Sequence, residues 1–225
     1  DVIPLTGGIT NKNYQLKRKN DSFVLRLGGK GAHLLGIDRK LEHQATSITA
    51  QLGIGPEVIY ADAANDILIT QMIQGNILSA EKMHERDTLQ QVINTLKTYH
   101  EGPAFSGTFS PFETIRNYYQ LALNYKVEFP ETLPSVFNTM DQIETLLQTT
   151  DEPKPCHNDL LAANFIDDGE KIYIIDWEYA GMGDIFFDLG NFAINQSLSD
   201  TLCQDLLEYY FGEIHPEHFK RLKLM

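Results

Sequence analysis

Cysteine is scarce in this sequence. Its two cysteines, Cys156 and Cys203, stand far apart, with no CxxC or histidine-rich spacing around them. That argues against a disulfide framework or a zinc site and fits a reducing cytoplasm. Long apolar runs are missing as well. No stretch approaches the roughly 20 residues needed to cross a bilayer, and Asp1-Val2-Ile3-Pro4 does not resemble a signal peptide, so membrane insertion is not expected. Basic residues are the third shortage. Against 31 Asp and Glu stand 18 Lys and Arg, a formal net charge of −13. A nucleic-acid backbone is therefore a poor partner and a cationic molecule a favoured one, with a charge that serves solubility alone as the alternative. Internal repeats and low-complexity tracts are absent too.

What is present is enough to build a core: 225 residues, 42% of them hydrophobic and 10% aromatic, suit one large domain or two small lobes. The first third reads as short strands around one helix. Leu5 to Asn13 places the pair Gly7-Gly8 and the polar Thr10, Asn11 and Asn13 ahead of the strand-like Tyr14-Gln15-Leu16. Glycines let backbone amides approach a phosphate closely, and an ordinary hairpin turn is the alternative. Phe23 to Leu27 is a strand interrupted by Arg26, whose buried charge asks for a carboxylate or phosphate. Gly28 to Gly31 is a second glycine-rich connection.

Ile37, Leu41, Ala45, Ile48 and Leu52 recur at helical spacing, so Asp38 to Leu52 is expected to be an amphipathic helix ending at Gly53, with Glu42 at the stripe's edge as the natural partner of Arg26 and a solvated surface glutamate as the alternative. Val58–Tyr60 and Ile67–Thr70 are further strands, and residues 71 to 75 read as a hinge.

Beyond the hinge the pattern is mainly helical. Leu89, Val92, Ile93, Leu96 and Tyr99 mark one apolar stripe; Phe112, Ile115, Tyr119 and Ala122 a second; Val136, Met140, Ile143 and Leu147 a third. All three are read as core packing. A polar turn over Asp151 to Pro155 precedes the stretch His157 to Asp188. Asp184, near the end of that stretch, and Ser199, beyond it, are each placed to cap a helix. The terminal pattern HPEHFKRLKLM reads as a helix started by Pro216, and further chain is expected beyond Met225.

The chemistry concentrates in His157-x-Asp159-x-x-x-x-Asn164, followed by the apolar strand Ile172 to Ile175, which delivers Asp176. One carboxylate within reach of a substrate hydroxyl can accept its proton, and an amide oxygen with a second carboxylate suits magnesium, which prefers oxygen ligands. His157 is expected to hold the loop's backbone in shape. This spacing is that of the protein-kinase catalytic loop. The order of glycine pair, strand arginine, helix glutamate, hinge, catalytic loop and strand aspartate strengthens the reading.

With GGITNKNY, VLRLGGKG, IDRKLEHQ, LGIGP, HNDLLAANF and IDWEYAGMGDIFFDLGNFA, the chain resembles the choline/ethanolamine kinase family. It is most similar to the bacterial choline kinase branch, within the broader group that includes aminoglycoside phosphotransferases. The resemblance implies an α+β, two-lobed protein-kinase-like fold: a small antiparallel sheet lobe with one helix over residues 1–74, and a larger, mainly helical lobe over 75–225. It implies ATP and Mg2+ as cofactors, with Asp159 as base and Asn164 and Asp176 on the metal. Gly7, Gly8, Thr10 and Asn11 would form the phosphate loop, Arg26 paired with Glu42 would grip the phosphates, and Gln71, Met72 and Ile73 would present the adenine-contacting hinge.

For the acceptor, the resemblance implies that Trp177, Glu178, Tyr179, Asp184 and Asp188 surround a cationic amino alcohol, choline first. A quaternary ammonium is drawn mainly to aromatic faces and carboxylates. Asp184 as a helix cap and Asp188 as a partner of the catalytic loop are the structural alternatives. Ethanolamine, thiamine or an aminoglycoside would use the same chemistry, and a kinase-like module without turnover is a third reading.

Overall fold

A computed structural model describes residues 1–5, 11–29, 31–148 and 152–225, the side chains of residues 32 and 33 excepted. Gly7, Gly8 and Thr10 lie outside the described residues.

The β-branched and aromatic segments of the first third form one antiparallel sheet from β1 (Val2–Leu5), β2 (Asn11–Arg18), β3 (Asp21–Gly28), β4 (Val58–Asp62) and β5 (Ile67–Gln71). Their order is β1-β2-β3-β5-β4. The register sets Arg26 of β3 between Asn13 and Leu68.

Helix α1 (Arg39–Gln51) starts where Asp38 accepts from the amides of Lys40 and Leu41 at 2.8 and 3.3 Å and stops at Gly53, whose φ of +74° is a left-handed value that suits glycine. The apolar stripe expected from periodicity is only partly buried, with Ile48 and Leu52 half-buried against the core, and a polar face is buried more completely beside it. Apart from Ala45, the buried residues are Arg39, Glu42, His43, Thr46 and Thr49. The two threonine hydroxyls bond to carbonyls one turn back. A polar face can be buried here because charged partners from other segments meet it.

After the hinge comes a three-stranded sheet from β6 (Asn76–Ile77), β8 (Phe165–Asp167) and β9 (Ile172–Ile174), in the order β6-β8-β9. Gly75 allows this pairing to begin, since a Cβ there would lie 2.5 Å from the Asp167 carbonyl oxygen. A second pair joins β7 (Lys154–Cys156) to β10 (Gly181–Gly183), so part of the expected polar turn before His157 is a strand. The helices are α2 (Ala80–Met83), α3 (Arg86–His100), α4 (Pro111–Asn124), α5 (Leu133–Leu147), α6 (Ile185–Asn195), α7 (Asp200–Phe211) and α8 (Pro216–Leu224).

The core gathers around α3, where Leu89, Val92, Ile93, Leu96 and Tyr99 are fully buried, as their spacing predicts. Phe165, Ile174, Leu189, Phe192 and Leu206 pack with them. Each such side chain contributes about 1.5–3 kcal/mol by leaving water.

The second and third stripes behave differently. Helix α4 buries none of its residues, and α5 only Met140 and Leu147. The two helices meet through Tyr119 against Phe137, with Phe129 of the connecting segment also against Tyr119. Two bonds tie the end of α1 to β9: Ile174 N–H donates to the Ile54 carbonyl at 2.8 Å, and Lys171 Nζ to the Gly53 carbonyl at 2.7 Å. The helix carrying Glu42 is thereby linked to the strand that delivers Asp176.

Candidate active site

The loop after β7 turns sharply at Asn158, whose φ of +68° is unusual for a residue with a side chain. It is held from below. The Asp188 carboxylate on α6, wholly buried, accepts from the amides of His157 at 2.8 Å and Asn158 at 2.6 Å and from the Tyr99 hydroxyl at 2.6 Å, with His100 Nε2 at 3.0 Å. Burial by itself would raise this carboxyl; the hydrogen bonds it accepts from His100 and Tyr99 outweigh that and hold it below its ordinary value. Burial lowers the His157 imidazole, keeping it neutral. Nε2 donates to the Ile175 carbonyl at 3.0 Å and Nδ1 accepts from the Asp159 amide at 3.1 Å. Both ring nitrogens thus serve the backbone, as expected of a residue that shapes the loop.

The next residues are pinned in turn. Leu160 N–H donates to Asn191 Oδ1 at 2.7 Å, and its carbonyl accepts from Gln196 Nε2 at 2.9 Å. Asn164 Nδ2 donates to the Asp159 carbonyl at 2.9 Å, and the Asn164 carbonyl accepts from the Ile175 amide at 3.0 Å. These bonds draw Asp159, Asn164 and Asp176 together.

Asp176 adopts φ +67°, a backbone cost of about 1–3 kcal/mol that such sites accept when the surroundings enforce it. Its carboxyl is pushed up to about 7, first by desolvation and then by the Glu178 charge; Arg26 opposes the rise, while Glu42 and Asp159 add to it. The Asp159 carboxyl is likewise raised, first by burial and then by the Glu178 charge. Carboxylates crowded to this degree beside an amide oxygen favour a hard cation, so the donor set fits magnesium.

Above this loop, Arg26 pairs with Glu42. Its Nη1 is 3.5 Å from Asp176 Oδ1 and 3.6 Å from Glu178 Oε1. The pairing expected from sequence is therefore formed, and it reaches the strand aspartate. Asn11 lies at the same cluster, its Nδ2 donating to Glu178 Oε1 at 2.5 Å. At the hinge, the N–H groups of Gln71 and Met72 are spent on the carbonyls of Glu57 and Ser22, both at hydrogen-bond distance. Among Gln71, Met72 and Ile73, Ile73 is the residue whose N–H no other described residue engages.

Geometry and comparison agree. The model of the choline/ethanolamine kinase family matches residues 2–204.

The chain belongs to that family.

It is a phosphotransferase with an alcohol group as acceptor. Protein LicA of Haemophilus influenzae is 29% identical over 97% of this chain and 67% of its own length. A choline/ethanolamine kinase family protein from Mesorhizobium loti superposes with a TM-score of 0.83 at 30% identity, covering 100% of this chain and 74% of that one. Choline kinase LicA from Streptococcus pneumoniae does so at 0.83 and 26% identity, over 97% of this chain and 79% of that one. The α+β kinase-like architecture expected from the sequence is the observed one.

For this kinase the five residues expected around the acceptor stand in different surroundings. Trp177 is 1% exposed and faces the core, with its ring edge-on to Tyr99, Phe105 and His157 and its indole N–H donating to the Ile174 carbonyl at 3.2 Å. A large aromatic so enclosed cannot present a face to a ligand. Asp188 supports the loop from inside the protein. Asp184 caps α6 through the Phe186 amide at 2.9 Å and pairs with Arg221 at 2.5 Å. Glu178 points into the arginine cluster. Tyr179 is only partly buried, beside Tyr118, and burial raises its phenol.

Trp177→Ala should accordingly act on stability, by about 3–5 kcal/mol as for other buried large aromatics, with KM for the acceptor unchanged in the folded fraction. Thermal denaturation beside acceptor titrations checks this, and a selective rise in acceptor KM at constant Tm would return Trp177 to the pocket.

Sequence reasoning missed Arg39, which is buried in this cluster. The available signal was its place in IDRKLEHQ, one turn before Glu42. A basic residue in the first turn of a helix is unfavourable for the dipole and needs another reason to be there.

Proposed function

We propose that this kinase transfers the γ-phosphoryl group of ATP, with Mg2+, to the hydroxyl of choline. The observation that carries the reading is the convergence of Asp159, Asn164 and Asp176 beneath the Arg26–Glu42 pair. In this reading Asp159 accepts the hydroxyl proton. The Asn164 amide nitrogen is committed to the Asp159 carbonyl, so its oxygen is the end offered with Asp176 to the metal. Bound there, magnesium would neutralise phosphate charge. Arg26 holds phosphate oxygens, Asn11 borders the glycine pair, and Ile73 offers the hinge amide to adenine. Residues 1–74 form the nucleotide lobe and 75–225 the catalytic lobe, divided where the sheet ends at Gln71 and Gly75 begins the next pairing.

Choline is preferred because the relative from Streptococcus pneumoniae is itself called a choline kinase and because the net charge of −13 favours a permanent cation. Ethanolamine is the second reading, from the family's own description. Incubation with ATP, Mg2+ and each alcohol at equal concentration should give phosphocholine with the higher kcat/KM. Faster turnover of ethanolamine would transfer the assignment, and turnover of neither would remove it.

A further inference from the structure

Arg39 has no task in the mechanism above, yet it is 6% exposed and reaches four segments at once. Nη1 lies 2.8 Å from Glu42 Oε2 on its own helix and 2.6 Å from Glu178 Oε1 after β9. Nη2 donates to Asn11 Oδ1 at 2.9 Å at the start of β2, and Nε to Asp66 Oδ1 at 3.0 Å in the β4–β5 turn. A planar guanidinium can serve such a set, and an ammonium cannot.

The electrostatics explain why a second arginine is needed. Glu42, Asp176 and Glu178 bring carboxylate oxygens within 4.8 Å of one another. Arg26 sits against one oxygen of Glu42 and near both of the others. If Arg26 had to balance all three, its guanidinium would be held by protein carboxylates, and an incoming phosphate would meet uncompensated negative charge. Arg39 takes Glu178 and the second oxygen of Glu42, and it holds Asn11, the residue that leads out of the glycine-rich segment.

We propose that Arg39 is a positioning residue for the nucleotide: by neutralising Glu178 and sharing Glu42 it leaves Arg26 available to phosphate oxygens, and through Asn11 it fixes the entry to β2. The proposal rests on the kinase reading and concerns ATP binding rather than proton transfer. It distinguishes charge balance from simple support of the fold, because a second substitution that removes the unbalanced carboxylate should restore what the first destroys.

The experiment measures Kd for MgATP by calorimetry, with Tm and circular dichroism alongside. Arg39→Gln should weaken MgATP binding about 100-fold, the scale on which misplaced positioning groups act. The double variant Arg39→Gln/Glu178→Gln should recover at least about tenfold of that loss, because the amide keeps an oxygen for Asn11 while shedding the charge. An unchanged Kd in Arg39→Gln, or a double variant no better than the single one, overturns the proposal. If the glutamine variant does not fold, Arg39→Lys is read in its place: it keeps the charge and loses the fork, so a Kd about tenfold above wild type supports the role and an unchanged Kd rejects it. Wild-type protein that binds no MgATP overturns the kinase reading itself, which no behaviour of Arg39 variants alone can do.

Discussion

Asp159→Asn is expected to lower kcat about 1000-fold and to leave Kd for MgATP unchanged. A positioned base contributes about 10²–10⁴ in rate, and the amide cannot accept the hydroxyl proton. The geometry around it should survive, because the backbone of Asp159 makes the bonds that shape the loop: its N–H to His157 Nδ1, and its carbonyl from Leu161 and Asn164. Burial and the Glu178 charge raise the carboxyl, which brings the base closer to working pH and strengthens it as an acceptor. Steady-state phosphorylation of the preferred alcohol, with calorimetric ATP binding, separates the outcomes. Retained kcat would end the role of Asp159 as base, whereas lost ATP binding would place it with the nucleotide.

Asp188→Asn should be the most damaging single-atom change to stability. Oδ1 accepts from Asn158 N–H, while Oδ2 receives the His157 amide and the Tyr99 hydroxyl beside His100. An asparagine can present only one oxygen, so its NH2 group must face donors. Breaking a buried charged partnership costs about 3–5 kcal/mol, which at about 2–4 °C per kcal/mol for a chain of this size lowers Tm by about 10 °C.

The pH dependence has a definite sign. The folded-state carboxyl lies below its ordinary value, so the stability it supplies is complete above about pH 4, the unfolded value, and is lost as pH falls through the folded value. The Tm gap between wild type and variant should therefore be wide at neutral pH and shrink below about pH 4. His100, His157, Tyr99 and Cys156 surround the group, so the comparison with the variant is what isolates the contribution of Asp188. A gap that stays constant down to pH 2.5 would show that charge at Asp188 is not what holds the loop.

The local patterns were readable because they encode local physics. The α3 stripe places its apolar residues at helical spacing and buries all five, and Asp38, Asp184 and Ser199 cap helices where short polar side chains precede them. The spacing of His157, Asp159 and Asn164 ahead of an apolar strand was enough to place a loop and a strand-end carboxylate together. Arg26 with Glu42 was predictable for a related reason, since a charge in an apolar strand demands a counter-charge.

Packing between distant segments was not written in any local pattern. The apolar stripe of α1 suggested one buried face, and tertiary contacts buried more completely the neighbouring face bearing Arg39 and Glu42. Trp177 and Glu178, adjacent in sequence, point into different environments, one the aromatic core and the other the arginine cluster. Asp188, placed by its helix turn, proved to carry a loop 30 residues earlier in the chain.

The sequence by itself determined the chemical groups and their local geometry, because periodicity, capping and spacing act over a few residues. Which charges are buried together was decided only by the tertiary structure. A charged side chain belongs in water by default, and it is stable inside only where folding brings partners such as Asn11, Asp66 and Glu178 to the same guanidinium.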